Sequence, residues 1–197
     1  AETIEYALDS ENGWAIDVED IRSKMHENVR FIVLINPNNP TGNVATASEI
    51  LEILDIAREW PGCTVIADEI YDGLDFTGSQ KSVASLSDDT PVITLNGVSK
   101  VHFAPGWRIG YMAFHDPTHV LDEARDGVER LLRSRLCAST PAQHGYLEAL
   151  RGDRGWLDER LESIRSRVDL CMGRIDSIEG LSCNRPGGAF YLFPKII

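Results

Sequence analysis

Two apolar patterns alternate along this chain: short unbroken hydrophobic runs, and longer stretches in which hydrophobic residues return every three or four positions. Phe31-Ile32-Val33-Leu34-Ile35 is a run of the first kind, closed by Asn36-Pro37-Asn38-Asn39-Pro40-Thr41-Gly42. It fits a strand buried on both faces of a parallel sheet, and the prolines end it because they cannot donate to a ladder. Cys63 to Ala67 and Val92 to Leu95 read as further strands, and Arg108 to Phe114 as another. Between the first two, Thr46-Ala47-Ser48-Glu49 has capping-box spacing, with Ile50, Ile53, Leu54 and Ala57 at helical period and Pro61-Gly62 as the stop. Upstream, the pattern predicts a short strand over Thr3 to Leu8, a polar turn over Asp9 to Gly13, and a helix over Val18 to Met25 with Ile21 and Met25 on one face.

The second half is mostly helical. Asp116 is a candidate cap with Pro117 in the first turn, and Val120, Ala124, Val128, Leu131 and Leu132 mark one face. Cys137-Ala138-Ser139-Thr140-Pro141 interrupts that helix, and a second covers Ala142 to Leu150. Arg151-Gly152-Asp153-Arg154-Gly155 is a candidate domain boundary, dividing residues 1–152 from 153–197. A long helix follows with Leu157, Leu161, Ile164, Val168, Cys171, Met172 and Ile175 as its apolar stripe. Ser182 to Phe193 reads as a hairpin arm around Pro186-Gly187-Gly188. A polar connection spans Thr77 to Pro91.

Strand, helix, strand at these lengths implies right-handed βαβ units in an α/β fold, with a mostly parallel sheet and helices on its faces. Ligands of such sheets sit at the carboxyl ends of the strands. Asn39, Asp68 and Lys100 all fall at or just beyond three successive strand ends, so the sequence alone points to a convergent site.

Composition narrows the functional classes. The net charge of −12 argues against nucleic-acid and anionic-membrane surfaces, both of which need clustered cations. A hydrophobic fraction of 43% supports a packed core rather than disorder. Cys63, Cys137, Cys171 and Cys183 are widely spaced, which favours reduced thiols in a cytoplasmic protein over a disulfide framework. His115 and His119 have the spacing of two ligands on a helical turn, but the helix start between them favours solvated histidines, and no metal site is assigned. No run reaches membrane-span length and no signal peptide is evident. The absence of an initiator methionine suggests a piece of something longer.

Lys100 stands out chemically. It is one of four lysines, follows a strand and a tight turn at Asn96-Gly97, and has no charged neighbour until Arg108. Burial and a nearby cation both favour the neutral amine that attacks carbonyl compounds, and an arginine eight positions on suits a phosphorylated one. Glycines at 97, 106 and 110 permit close backbone approach.

Together, Asn36-Pro37-Asn38-Asn39-Pro40-Thr41-Gly42, Ala67-Asp68-Glu69-Ile70-Tyr71, Ser99-Lys100 and Gly106-Trp107-Arg108-Ile109-Gly110-Tyr111 resemble the class I/II aminotransferases, fold-type-I enzymes that use pyridoxal 5′-phosphate. Leu95 to Lys100, Leu136-Cys137-Ala138 and Pro141 to His144 look most like the branch working on alanine and glutamate. The resemblance implies a three-layer α/β sandwich with a mostly parallel sheet as the large domain, followed by the opening of a small α+β C-terminal domain. It implies Lys100 as the internal aldimine lysine and proton shuttle, and Asp68 against the pyridine nitrogen. Asn39 and Tyr71 would face the cofactor's phenolic oxygen, and Arg108 its phosphate. The family commonly has serine three residues before the lysine, where this chain has Gly97, so Ser99 or a backbone amide is the replacement phosphate ligand. Taken singly, each residue has a plainer reading: a turn residue for Asp68 and Asn39, core packing for Tyr71, a surface strand arginine for Arg108.

The resemblance further implies amino-acid and 2-oxo-acid substrates, most readily alanine and 2-oxoglutarate, and a homodimer. It also implies that this chain is a central fragment, with the arginine for the substrate carboxylate lying elsewhere. Two other functions fit the same motifs: a pyridoxal-phosphate C–S lyase, and the sensor domain of a transcription regulator.

Overall fold

A computed structural model describes residues 2–197. The first elements are a small antiparallel pair, β1 (Leu8–Asp9) and β2 (Ala15–Ile16), joined through the polar turn. The strand expected over Thr3 to Leu8 does not form: only Leu8 is strand, because the pairing partner lies just across that turn. Helix α1 (Val18–Lys24) follows, its first turn capped by the Asp17 carboxylate accepting from the Asp20 N–H at 2.9 Å.

The central sheet is built from β3 (Phe31–Ile35), β4 (Thr64–Asp68), β5 (Val92–Gly97) and β6 (Gly110–His115), in that spatial order. The first three are parallel and β6 is antiparallel to β5. Helix α2 (Ala47–Glu59) makes the β3–β4 crossover. Thr46 and Glu49 form the capping box reciprocally, and Ile50, Ile53, Leu54 and Ala57 are all buried, as their spacing requires. Each fully buried Ile or Leu contributes about 1.5–3 kcal/mol. One core cluster joins α1, α2 and one face of the sheet through Ile32, Leu34, Val65, Ala67 and Val92.

The opposite face of β3 is open. Phe31 and Val33 are 53% and 48% exposed while Ile32 and Leu34 are buried, so the unbroken apolar run alternates and is covered on one face only. The Thr77 to Pro91 connection holds a one-turn helix, α3 (Val83–Leu86), that the polar composition concealed. Glu69 explains it: its buried carboxylate accepts the Val83 N–H at 2.8 Å, taking the place of a helix cap from a distant strand end.

Helix α4 (Asp122–Ser134) starts later than expected. Asp116 does cap, but it caps the preceding turn, accepting from the Val120 and Leu121 N–H groups. None of the described α4 residues is buried, and Leu131 and Leu132 lie open at its end. Helices α5 (Thr140–Arg151) and α6 (Gly155–Ile175) flank Gly152, and α6 buries Leu157, Val168 and Met172. Cys171 leaves the expected stripe and is exposed.

The chain closes through an antiparallel pair, β7 (Leu181–Ser182) and β8 (Lys195–Ile196). The hairpin is therefore wider than expected, and residues 183–194 form a long docked loop. No helix among the described residues is long and apolar enough to cross a membrane.

Candidate active site

The loops at the carboxyl ends of β3, β4 and β5 meet over one spot. Beyond β3, the Asn36–Gly42 segment turns back on itself, with the Asn38 N–H donating to the Asn43 carbonyl and the Thr41 hydroxyl to the Asn38 side chain. The buried Asn36 side-chain oxygen accepts the Ala45 N–H and ties this turn to the start of the crossover. Both its X–Pro bonds, Asn36–Pro37 and Asn39–Pro40, are cis.

Asp68 is the last residue of β4, in register with Ile35 and Leu95. Its Oδ1 accepts the Ile70 N–H at 3.1 Å, which fixes the carboxylate where the strand leaves the sheet. Tyr71 follows within the same turn and is 2% exposed. Burial pushes its phenol well above the usual tyrosine range. The Asn39 Nδ2 donates to the Tyr71 hydroxyl at 3.3 Å, joining the first two strand ends.

Lys100 comes from the third. It lies in a loop closed by hydrogen bonds from the Ala104 N–H to the Val98 carbonyl and from the Phe103 N–H to the Lys100 carbonyl. Val98 and Val101 on either side are 1% and 4% exposed, so the backbone carrying the amine is anchored in apolar packing. Val101 packs with Tyr71, Leu74, Leu157 of α6 and Ala189. The half-buried Lys100 side chain puts its Nζ 5.7 Å from the Tyr71 ring centroid and 5.8 Å from that of Phe190. Those distances suit a cation held over aromatic faces.

Asn39, Tyr71 and Lys100 are thus brought together, with Asp68 at the same strand-end rim. Ser99 is half-buried in the turn beside Lys100. Arg108 differs from its expected strand position. It follows a 3-10 turn over Pro105–Trp107 in left-handed conformation, φ 53°, and its exposed guanidinium donates to the Pro105 carbonyl at 2.7 Å.

Asn96-Gly97 is not the tight turn that the dipeptide suggests. Both residues belong to β5, paired with Tyr111 and Gly110. A Cβ at position 97 would stand 2.8 Å from the Ile109 carbonyl oxygen, and one at 110 would stand 2.6 Å from the Asn96 carbonyl oxygen. With the backbones this close, a side chain at either position would force the two strands to shift.

Phe190 and Tyr191 are site-lining residues that the sequence pattern did not single out. The Tyr191 hydroxyl lies 2.5 Å from that of Tyr71. Both aromatics ride on the 183–194 loop, which is latched to the Asn36–Gly42 segment: the Gly187 and Gly188 N–H groups both donate to the Gly42 carbonyl, and the Ala189 N–H to the Leu74 carbonyl. The usable signal was Pro186-Gly187-Gly188-Ala189, a small-residue run of the kind that lets one backbone lie directly on another.

Among the described residues no His, Cys, Asp and Glu side chains cluster as a metal site, and His115 and His119 lie on a strand end and a turn. The four cysteines are free, Cys63 buried and Cys137 exposed.

A lysine amine, a carboxylate, a phenol and an amide thus lie at the carboxyl rim of the parallel strands of an α/β sheet. Residues 1–196 match the family described as aminotransferase class I and II, and the chain belongs to that family, whose members depend on pyridoxal phosphate. It is similar to the glutamate-pyruvate aminotransferase AlaA of Escherichia coli, 39% identical over 98% of this chain and 48% of that protein. An alanine aminotransferase of Mycobacterium tuberculosis is 35% identical over 98% of this chain and 46% of its own. Among solved structures, an alanine aminotransferase from Pyrococcus furiosus superposes with a TM-score of 0.96 at 45% identity, covering 99% of this chain and 49% of that one. The chain spans about half the length of the relatives it matches.

Proposed function

We propose that the protein carrying this chain is a pyridoxal-phosphate-dependent aminotransferase that moves an amino group between an L-amino acid, alanine, and a 2-oxo acid, 2-oxoglutarate. The observation that carries this reading is the Lys100 amine set against the paired Tyr71 and Phe190 rings, at the strand ends that also present Asn39 and Asp68. The names of the similar proteins support the substrates.

The donor set fits the cofactor group by group. Lys100 is the amine for its aldehyde. Asp68 has one oxygen committed to Ile70, and its other would accept from the ring nitrogen, where a carboxylate favours the protonated form and an amide would not. Asn39 and Tyr71 would donate to the ring's phenolic oxygen. Ser99 and Arg108 would hold the phosphate, Arg108 giving up the Pro105 carbonyl to do so, because a bidentate guanidinium matches phosphate oxygens.

Pyridoxal phosphate, when bound, supplies an electron sink for the pair left on the substrate carbon. The chain's own work is positioning and proton transfer. Lys100 would hold the cofactor through its aldehyde, and its amine, when free, would be the group that moves a proton to and from the substrate Cα. Asp68 would favour a protonated ring nitrogen.

The remaining assignments belong to the same reading: residues 1–152 as the central part of the cofactor-binding domain, 153–197 as the beginning of a small C-terminal domain, and a cytoplasmic homodimer. The test is direct. The full-length protein, incubated with alanine and 2-oxoglutarate, is expected to form pyruvate and glutamate, and to show the visible absorbance of a lysine-bound cofactor. Lys100→Ala is expected to abolish that absorbance and to cut turnover by at least about a thousandfold, as loss of a covalent and acid–base group does. Visible absorbance retained in Lys100→Ala refutes the lysine assignment. Failure to form glutamate together with pyruvate refutes the transfer.

A further inference from the structure

The Tyr71 hydroxyl has a second partner whose role is open. Asn39 Nδ2 can only donate, so it occupies one lone pair of the Tyr71 oxygen. The Tyr191 hydroxyl, 2.5 Å away, stands either as donor or as acceptor to the same oxygen. A phenol has one proton and two lone pairs. If Tyr71 gives its proton to Tyr191, it has none left for a ligand. If Tyr191 gives its proton to Tyr71, both lone pairs are filled and the Tyr71 O–H is free to point into the site.

From this count, and resting on the function proposed above, we propose that Tyr191 is a positioning residue: it donates its hydroxyl proton to Tyr71 and thereby turns the Tyr71 O–H toward the cofactor's phenolic oxygen. Two further observations bear on it. The Tyr71 and Tyr191 rings meet edge to face, 5.5 Å between centroids and 80° between planes, which fixes the approach of the two hydroxyls. Tyr191 also sits three residues beyond Gly188, on the segment latched by the Gly42 and Leu74 carbonyls, so its placement is set by backbone hydrogen bonds rather than by a free loop. A Cβ at Gly188 would stand 2.7 Å from the Leu74 carbonyl oxygen, so the latch closes only with glycine there. Donation into the Tyr71 oxygen also polarises its O–H and makes it a stronger donor outward, since chained hydrogen bonds reinforce one another.

The experiment uses the full-length protein as wild type, Tyr191→Phe, Tyr71→Phe and the double variant, with two readouts. The first is the pH at which the visible band of the bound cofactor titrates. A weaker donor at Tyr71 leaves more charge on the cofactor's phenolic oxygen and strengthens its hold on the neighbouring proton. Tyr191→Phe is therefore expected to move the titration to higher pH by roughly half a unit, about a threefold change in the proton equilibrium. In the Tyr71→Phe background the Tyr191 change is expected to do nothing, because its effect runs through Tyr71. The second readout needs no cofactor: carbon NMR of tyrosines labelled at the hydroxyl-bearing carbon in the cofactor-free protein. Loss of a donor is expected to raise the pH at which Tyr71 ionises in Tyr191→Phe. A fall overturns the proposal, since it means that Tyr71 was the donor. So does a Tyr191 effect that persists without Tyr71. A Tyr191 side chain replaced by ring-fluorinated tyrosine, a stronger donor of the same shape, is expected to move the band in the opposite sense from phenylalanine, and no movement also overturns it. If wild type shows no lysine-bound band at all, the proposed function fails, not the tyrosine pair.

Discussion

At the scale of single residues, Glu69 shows how one buried group ties two elements together. It is 4% exposed, its carboxylate accepts the Val83 N–H, and burial raises its pKa above the ordinary glutamate range. In the folded state it therefore holds a proton to higher pH than in the unfolded chain. Between those two values stability falls as pH rises, and above the folded value the cost of the buried charge is fully present. Glu69→Gln keeps an oxygen for the Val83 N–H and removes the charge. It is expected to raise the melting temperature of the full-length protein at neutral pH, with the gain shrinking on acidification through the glutamate range. A gain independent of pH would mean that the charge is not what the site resists. The placement of Asn39, Asp68, Tyr71 and Lys100 around one set of strand ends was legible in the sequence because their neighbours form compact motifs there. Glu69's capping role and Tyr191 were not legible, since each acts on a partner far along the chain.

At the scale of elements, local signals succeeded wherever the interaction was local. The capping box of α2 and the Pro61-Gly62 stop were readable in sequence because cap and breaker lie within the segment itself. β5 and β6 were misread at their ends because Asn-Gly reads as a turn, whereas here the pair continues a ladder whose close backbones exclude side chains. Gly97→Ser would restore the residue common in the family at that position. It is nevertheless expected to destabilise the protein by about 1–3 kcal/mol, because the new Cβ meets a carbonyl oxygen that cannot retreat without breaking the strand pair. Chemical denaturation of the full-length variant measures it, and a neutral result would show that the Gly97–Gly110 pairing is looser than its geometry.

At the scale of the whole molecule, the α/β class and the parallel order of β3, β4 and β5 followed from the alternation of runs and periodic stretches. The open face of β3 did not, because hydrophobicity records that a surface becomes covered but not by which part of a protein. The exposed leucines at the end of α4 pose the same question.

The latch has a consequence for how the polypeptide can be divided. Asn184 reaches the Ser10 carbonyl, Lys195 pairs with Glu11, and the Phe193 ring meets Trp14, so together with the Gly42 contacts the last fifteen residues embrace the first third of the chain. The stretch between α4 and α5 bears exposed residues throughout. A protease nick there severs the covalent path while leaving that embrace intact. The two pieces of the full-length protein are expected to co-purify after limited proteolysis and to separate only in denaturant. If they part in native buffer, the hold between the ends is weaker than its hydrogen bonds imply. If they stay joined, the gene could be divided at that point and the enzyme rebuilt from halves.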